Sequence, residues 1–412
     1  MRGRPPASLE ATPVVTEEDA LRAALAVSAR VLVALLSATV LVGSGYGWAT
    51  LKRVQESVNT TDVLADLSTV PNAPPVLDGA TDILLVGSDS RTDAQGNPLP
   101  ADVLRQLRTE ASDGLNTDTI IVLRVPHDGG RATAISIPRD TYVPIPDIGE
   151  DKINGAYGLT KYATVQRLEN EGVSDRAERE KQGDQAGRRA LIQVVQELTG
   201  VRVDHYAEIN LYGFYLLTQV IGGVEVCLNA GTSDPASGAN FGAGRQRVNG
   251  GDALAFVRQR NLPGGDLGRI RRQQVFLSAA VSELLTAGTF TDQGKLTGLL
   301  DAVTKSIVVD EGLDLVTLAQ QAKGIAGGNV EFATIPVVDV NARSDKGQSI
   351  VRVDVAAVKA FVGQLLGPTL VPGTPTTSPS TPPSPTQRVA GGKVVGLDGA
   401  RRAVQPEVPC VD

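Results

Sequence analysis

The chain has few of the residues on which common hydrolytic and metal-dependent enzymes rely. Its 412 residues include two histidines, two cysteines, one methionine and one tryptophan. Two cysteines and two histidines are too few for a zinc cage of the usual kind. His127 lies in a turn signal and His205 at the start of a predicted strand, so a Ser-His catalytic triad has little support.

Motifs of several large enzyme classes are also absent. There is no G-x-S-x-G elbow, no H-E-x-x-H helix and no Walker loop, and no G-x-G-x-x-G follows a predicted strand. The formal net charge of −7 argues against the broad positive face of a nucleic-acid-binding protein. Lack of a covalent nucleophile fits phosphoryl transfer, which depends on positioning and charge stabilisation.

Against this acidic background, arginines cluster in two blocks. The first block is SIPRD (136–140), and the second covers FVRQR (256–260) and DLGRIRRQQ (266–274). The guanidinium group is a planar, permanently charged fork that matches phosphate oxygens. Two such blocks in an acidic protein favour a pyrophosphate site.

Individual residues of the blocks also have simpler interpretations. Arg139 follows Pro138 and is expected to bind phosphate or to pair with Asp140. Lys152 lies in a Pro/Gly-rich loop and is either a phosphate ligand or a solvated surface lysine.

The second block has a helix at its end. Arg258 and Arg260 share a face only where the chain is extended or a helix ends. Asp266 is placed to be the N-cap of the next helix. Arg269 and Gln273 are four residues apart and share one face of that helix, which favours an anion cradle over a solvated basic face.

Two aspartates lie at predicted strand ends. Asp89 follows the apolar strand 82–87, and Asp118 precedes the strand 119–125. Magnesium typically takes one or two protein carboxylates and completes its shell with water and substrate phosphate. We therefore predict that Asp89 and Asp118 bind Mg²⁺, with Mn²⁺ as the other candidate; the alternative is that each aspartate caps a turn.

Strand and helix patterns interleave along residues 81–367. This predicts one α/β domain with a mixed central β-sheet and helices on both sides. Predicted strands are 82–87, 119–125, 131–137, 205–209, 224–228 and 331–338, with the second and third joined as a hairpin. Predicted helices are 188–198, 212–220, 269–285 and 355–366. The flanking segments are a cytoplasmic tail (1–30), a transmembrane helix (31–50), a stalk (51–80), a Pro/Ser/Thr-rich linker (368–388) and a C-terminal tail (389–412).

The transmembrane prediction depends on the apolar run from Val31 to Trp48. It approaches the ~20 residues that cross a bilayer. Lys52 and Arg53 follow it, Tyr46 lies where an aromatic belt is expected, and the arginines before it modestly favour a cytoplasmic N-terminus. We predict a single-pass cell-membrane protein whose domain lies outside the cytoplasm. A cleaved signal peptide is the alternative.

Both cysteines lie on the oxidising side of that predicted membrane. A bridge between Cys227 and Cys410 would remove an exposed reactive thiol. The alternative is that Cys227 is a buried small hydrophobic residue and Cys410 a free thiol.

Taken together and in order, several stretches closely resemble the LytR–CpsA–Psr family of bacterial envelope proteins, in its actinobacterial form. They are DILLVGSDSR (82–91), NTDTIIVLRV (116–125), ISIPRDTYVPIP (135–146), DKINGAYG (151–158), LTGVRVDHYAEINLYGF (198–214), IGGVEVCLN (221–229), VNGGDALAFVRQR (248–260) and DLGRIRRQQVF (266–276). The resemblance implies a phosphotransferase that moves a glycopolymer from a polyprenyl-pyrophosphate carrier to peptidoglycan during cell-wall assembly.

The resemblance also implies roles for single residues. Asp89 and Asp118 would hold Mg²⁺, and Asp266 would lie near the reacting phosphate and activate the acceptor hydroxyl. The implied pyrophosphate ligands are Arg139, Lys152, Arg258, Arg260, Arg269 and Gln273. Many members have an arginine where this chain has Asn116, and Arg91 is the candidate to replace it. An implied lipid channel has Tyr212, Phe214, Leu216, Leu217, Val220 and Val275 as candidate lining, although each also suits an ordinary core.

Two other functions use the same residues. A non-catalytic polyprenyl-lipid-binding or regulatory membrane protein would also need the arginines. A polyprenyl pyrophosphatase would use the same site with water as the acceptor.

Overall fold

The computed structural model describes the part of the chain that carries nearly all of these motifs. The described residues are 58–65, 79–94, 96–110, 115–259, 265–286, 292–314, 330–366 and 408–412. The predicted cytoplasmic tail, transmembrane helix and Pro/Ser/Thr-rich linker therefore lie outside the described residues, as does Arg260. Within the described ranges, no helix is both long enough and apolar enough to span a bilayer.

Strands and helices alternate along the described chain. The strands are β1 (Asn59–Thr61), β2 (Ala80–Ser88), β3 (Thr117–Pro126), β4 (Ala132–Ser136), β5 (Tyr142–Ile145), β6 (Gly149–Lys152), β7 (His205–Asn210), β8 (Val224–Leu228), β9 (Thr232–Asp234), β10 (Ala239–Phe241), β11 (Gly244–Val248), β12 (Ile307–Asp310), β13 (Val330–Thr334), β14 (Asp339–Arg343), β15 (Ser349–Arg352) and β16 (Cys410–Val411). The helices are α1 (Ala101–Gln106), α2 (Ala156–Asn170), α3 (Arg176–Thr199), α4 (Leu211–Val220), α5 (Gly250–Arg258), α6 (Gly265–Thr286), α7 (Gln293–Ser306) and α8 (Val355–Leu366).

A seven-stranded sheet in the order β1-β12-β7-β2-β3-β4-β13 forms the centre of the domain. β2, β3 and β4 are an antiparallel meander, whereas β2 pairs with β7, β4 with β13 and β1 with β12 in parallel. The sheet is therefore mixed, as the sequence predicts. It also begins earlier than predicted, because β1 lies within the segment expected to be a stalk.

Helices cover both faces of this sheet. On one face, Ile135 of β4 packs in a single apolar cluster with Leu191 of α3 and Val358 of α8. Successive side chains of a strand point to opposite faces. Ser136 therefore faces the other side, where its Oγ accepts a hydrogen bond from Gln274 Nε2 of α6 at 2.8 Å. This arrangement confirms the predicted layering.

The last residues of the chain join a smaller sheet of order β11-β8-β16. β16 pairs in parallel with β8, which places Cys410 beside Cys227 and Val411 beside Leu228. A disulfide links the two cysteines across 183 positions of sequence, so the predicted bridge is present. Val411 is 4% exposed and packs into the apolar cluster under this sheet. The end of the chain is thus part of the folded domain.

Most predicted elements are confirmed, with differences in extent; the helix predicted at 269–285, for example, starts at Gly265. α3 starts at Arg176, well before residue 188, because the Asp175 side chain caps it by accepting from Ala177 N at 2.9 Å. The predicted strand 331–338 ends at Thr334. Pro336 lies two residues further on and has no N–H to donate to a ladder.

Candidate active site

The first part of the site lies where β2 ends and β3 begins. These strands are antiparallel, so the carboxyl end of β2 lies beside the amino end of β3. Asp89 N donates to Asn116 O at 2.9 Å, and Asn116 N donates to Asp89 Oδ1 at 2.6 Å. Arg91 Nη1 lies 3.0 Å from Asp89 Oδ2. Asp89 is therefore fixed at the strand end, and the guanidinium of Arg91 lies beside it.

Arg139 connects two carboxylates. It follows the end of β4, which pairs with β3, so its side chain reaches the residue at the start of β3. Arg139 Nη1 donates to Asp118 Oδ1 at 2.7 Å, and its Nε lies 3.7 Å from Asp266 Oδ1. The Arg139 side chain is 10% exposed and that of Asp118 is 28% exposed. Burial strengthens this pairing relative to a surface ion pair.

Asp266 and Arg269 extend the row of charges onto α6. Arg269 donates to Asp266 within the helix, and the Arg269 side chain is 5% exposed. Asp266 is the second residue of α6, so the prediction that it is the N-cap is wrong. In the first turn its negative charge is instead favoured by the positive end of the helix dipole.

Lys152 joins the same group through Asp140. Its Nζ lies 2.9 Å from Asp140 Oδ1, while Arg139 Nε is 3.8 Å from Asp140 Oδ2. The contact between Arg139 and Asp140 is therefore longer than the contact between Lys152 and Asp140. Asn154 N donates to Arg139 O at 3.1 Å, which ties the Lys152 loop to the Arg139 backbone.

Two other predicted phosphate ligands make different contacts. Arg258 is the last residue of α5, and its Nη2 donates to Leu107 O at 3.1 Å and to Arg108 O at 3.2 Å. Gln273 Nε2 donates to Val257 O at 3.3 Å. These contacts hold the end of α5, and the role of Arg258 and Gln273 as phosphate ligands stays a prediction.

The central charges are balanced. Four carboxylates (Asp89, Asp118, Asp140 and Asp266) face four cations (Arg91, Arg139, Lys152 and Arg269). Within the described part of the chain, several buried polar atoms here lack a hydrogen-bond partner: Ser88 Oγ, Arg91 Nε, Arg139 Nε and Asp266 Oδ2. Buried polar atoms normally have partners, so these four atoms suit contact with a polar ligand.

An apolar region continues from the site along α6. Phe276 of α6 stacks on Phe214 of α4 with ring centroids 5.2 Å apart. All six residues predicted to line a channel are partly exposed, neither buried nor fully open: Tyr212, Phe214, Leu216, Leu217, Val220 and Val275. Phe214 and Val275 also pack against the apolar cluster under β8, and Tyr212 packs against a second buried cluster, so the lining of a channel stays a prediction.

Sequence reasoning missed two contacts of the site. A pair between Asp140 and Arg139 was the alternative to phosphate binding; the two groups lie 3.8 Å apart, and the shorter contact of Asp140, at 2.9 Å, is to Lys152. Arg272 lies within the second arginine block, where the sequence indicates no separate role for it, yet it is fully buried and bonded to Gln259. The only signal in the sequence was an arginine on the apolar side of an amphipathic helix, next to Val275 and Phe276.

Residues 49–365 match the LytR_cpsA_psr family, and the chain belongs to that family. It is 49% identical over 339 residues to the cell wall biosynthesis protein LcpA of Corynebacterium glutamicum, covering 82% of this chain and 65% of LcpA. The chain thus spans just under two thirds of that relative. It is 29% identical to the polyisoprenyl-teichoic acid–peptidoglycan teichoic acid transferase TagU of Oceanobacillus iheyensis, covering 63% of this chain and 67% of TagU.

The fold also matches a solved structure. The crystal structure of protein gbs0355 from Streptococcus agalactiae superposes with a TM-score of 0.50 at 20% identity, covering 70% of this chain and 88% of that one. At this identity the likeness concerns the fold alone. The family match and the LcpA relative confirm the family resemblance predicted from the sequence motifs.

Proposed function

We propose that the protein is a Mg²⁺-dependent phosphotransferase that moves a glycopolymer from a polyprenyl-pyrophosphate carrier to peptidoglycan. The observation that carries the proposal is the row Asp118–Arg139–Asp266–Arg269, which is largely buried and next to Asp89. The TagU relative is named a polyisoprenyl-teichoic acid–peptidoglycan teichoic acid transferase, which supports this substrate class.

The ion pairs explain how the site would receive a pyrophosphate. Without substrate, each cation is held by a carboxylate. A divalent cation would be held by Asp89 and Asp118, which lie at one edge of the sheet, and Arg139 would then turn from Asp118 to phosphate oxygens. Among the described residues no three His, Cys, Asp or Glu side chains form a metal cluster. Two carboxylates suffice for Mg²⁺, which takes its remaining ligands from water and phosphate. The bound metal would supply further neutralisation of phosphate charge.

The transfer step assigns a role to Asp266. An acceptor hydroxyl of peptidoglycan attacks the phosphorus that carries the sugar. A new P–O bond forms, the bond to the bridging oxygen breaks, and polyprenyl phosphate leaves. Asp266 Oδ2, buried and without a hydrogen-bond partner in the described structure, accepts the hydroxyl proton. Arg139, Arg269 and Lys152 stabilise the charge that develops on the phosphate oxygens.

The lipid part of the carrier would follow α6. The polar first turn of that helix carries Asp266 and Arg269, and the later turns carry Val275 and Phe276 beside Phe214. An amphiphile with its pyrophosphate at the helix start would lay its chain along the partly exposed Val275 and Phe214, with the buried Phe276 ring beneath them. Together with the predicted span at residues 31–50 and the disulfide, this supports a single-pass membrane protein acting on the outer face of the cell membrane.

The experiment is a transfer assay with the full-length chain in detergent. A short polyprenyl-pyrophosphate-linked oligosaccharide and soluble peptidoglycan fragments serve as substrates, with products identified by mass spectrometry. Asp118→Asn should lower kcat at least a hundredfold, because the metal loses a charged ligand. Asp128→Asn is the matched control, since Asp128 is exposed in the β3–β4 turn and bonds only locally to Gly130 N at 2.8 Å.

Binding of the same substrate separates the proposal from a pure lipid binder. A protein that only binds lipid would form no transfer product, and its Asp118→Asn variant would bind the substrate as tightly as the wild-type chain does. Turnover that survives in a folded Asp118→Asn protein would contradict the transferase proposal.

A further inference from the structure

Arg272 is the largest fully buried side chain of the described structure, and its contacts converge on one residue. Arg272 Nη1 donates to Gln259 Oε1 at 3.2 Å, and Arg272 Nη2 donates to the Gln259 main-chain oxygen at 2.9 Å. The guanidinium fork therefore grips both the side chain and the backbone of Gln259. Gln259 is itself 0% exposed, and its amide nitrogen donates to the Thr232 hydroxyl.

Gln259 is the residue at which α5 ends. Its φ of −57° and ψ of 134° take the chain out of the helix directly after Arg258. The last carbonyls of a helix have no partner within the helix and carry its negative end. Here α6 supplies the missing donors, because Gln273 Nε2 bonds to Val257 O and Arg272 bonds to Gln259 O.

The buried cation is maintained by its surroundings. Burial lowers the pKa of Arg272 to about 10, and the charge of Asp234 opposes that shift. The guanidinium is therefore still protonated at neutral pH, so it keeps all its donors. Removing the charge of an arginine from water costs free energy. A buried arginine is therefore weak evidence for stabilisation of the fold and favours a specific structural role.

We infer that Arg272 is a positioning residue: it locks the end of α5 onto α6 and so sets where the Arg258 guanidinium sits for a substrate pyrophosphate. The inference rests on the proposed function. The same helix carries Asp266 and Arg269 in its first turn, so Arg272 fixes the two parts of the second arginine block, residues 256–260 and 266–274, relative to each other.

The test is calorimetric binding of farnesyl pyrophosphate with Mg²⁺ to the full-length chain in detergent. Arg272→Met should weaken affinity at least tenfold at a temperature where the variant is folded. Arg271→Met is the matched control, since Arg271 is the exposed neighbour on the same helix and the charge change is identical; its affinity should stay within twofold of wild type. Arg272→Lys keeps the charge but not the planar fork of donors, and its affinity should fall at least threefold. If Arg272→Met does not fold, the affinity of Arg272→Lys tests the inference.

A double-mutant cycle separates positioning from general stability. If Arg272 acts through Arg258, Arg272→Met should cost much less than tenfold in an Arg258→Ala background. An equal cost in both backgrounds, or wild-type affinity in the Arg272 variants, would overturn the inference while leaving the proposed function intact. Failure of the wild-type chain to bind farnesyl pyrophosphate would instead overturn the proposed function, and the inference with it.

Discussion

Removing the disulfide should destabilise the whole domain, and Cys410→Ala is the cleanest way to do so. Cys410 is exposed, whereas Cys227 is 2% exposed and would remain as a small buried hydrophobic residue. β16 is only two residues long, so its pairing with β8 depends on the covalent link to hold it there.

The size of the effect follows from the length of the closed loop. In the chain-entropy model a 100-residue loop is worth about 4.7 kcal/mol, and the 183-position separation here gives about 5 kcal/mol. Measured values for disulfides are typically about 2–4 kcal/mol. Loss of Val411 burial, worth about 1.5–3 kcal/mol, is part of this change if β16 detaches. We expect a loss of about 2–5 kcal/mol, which corresponds to a Tm lower by roughly 5–15 °C.

Thermal unfolding of wild-type and Cys410→Ala protein measures this loss. Reductant should lower the wild-type Tm toward that of the variant and leave the variant unchanged, which is the internal control. A variant that melts within about 1 °C of wild type, or two thiols that label in the native unreduced protein, would refute the reasoning.

Three further outcomes are expected. Gly187→Ala should cost about 1–3 kcal/mol in urea unfolding, because the added Cβ would lie 2.6 Å from the Tyr157 carbonyl oxygen; an unchanged midpoint would contradict the close packing of α2 on α3. Burial raises the pKa of Asp151, but hydrogen bonds from the Lys152 backbone, Lys346 and Gln348 outweigh it and hold the pKa below its usual 3.8. This stabilisation is present above the unfolded value and lost as pH falls through the folded one, so Lys346→Met should cost about 0.5 kcal/mol at pH 7 and progressively less below pH ~4, measured by urea unfolding across pH. A reporter active only in the cytoplasm, fused after Asp412, should be silent, and activity would reverse the predicted topology.

The sequence predicts the long elements well because their signals are local. The apolar run 82–87 is itself the signal of a buried strand. In the hairpin over residues 119–137, the β-rich runs and the turn residues between them lie close together in the sequence. Gly200 ends α3 with φ of 75°, a left-handed conformation that suits glycine. The strand ends then bring Asp89 and Asp118 to one edge of the sheet without further information.

Short edge strands and side-chain partners are not predictable in this way. β1 has three residues and β16 two, too few for any periodicity, and both form only by pairing with distant strands. Asp140 pairs with Lys152, and Arg258 bonds to a carbonyl oxygen just after α1. Both contacts depend on which groups the complete fold brings close together. The composition of the arginine blocks predicted an anion site, but no sequence pattern indicated that Arg258 and Gln273 also bond to main-chain carbonyl groups.

The central claim is transfer of a phosphoryl-linked glycan to peptidoglycan, and the most direct measurement follows the phosphate oxygens. The full-length chain is incubated with lipid-linked oligosaccharide and peptidoglycan fragments in water enriched in ¹⁸O. The masses and ¹⁸O content of all phosphorus-containing products are then measured by mass spectrometry. The account predicts polyprenyl phosphate and a glycan–phosphate–peptidoglycan product in equal amounts, with no ¹⁸O in either. Glycan phosphate carrying ¹⁸O and no peptidoglycan adduct would contradict it in favour of a pyrophosphatase, and unchanged substrate would contradict it in favour of a binding protein.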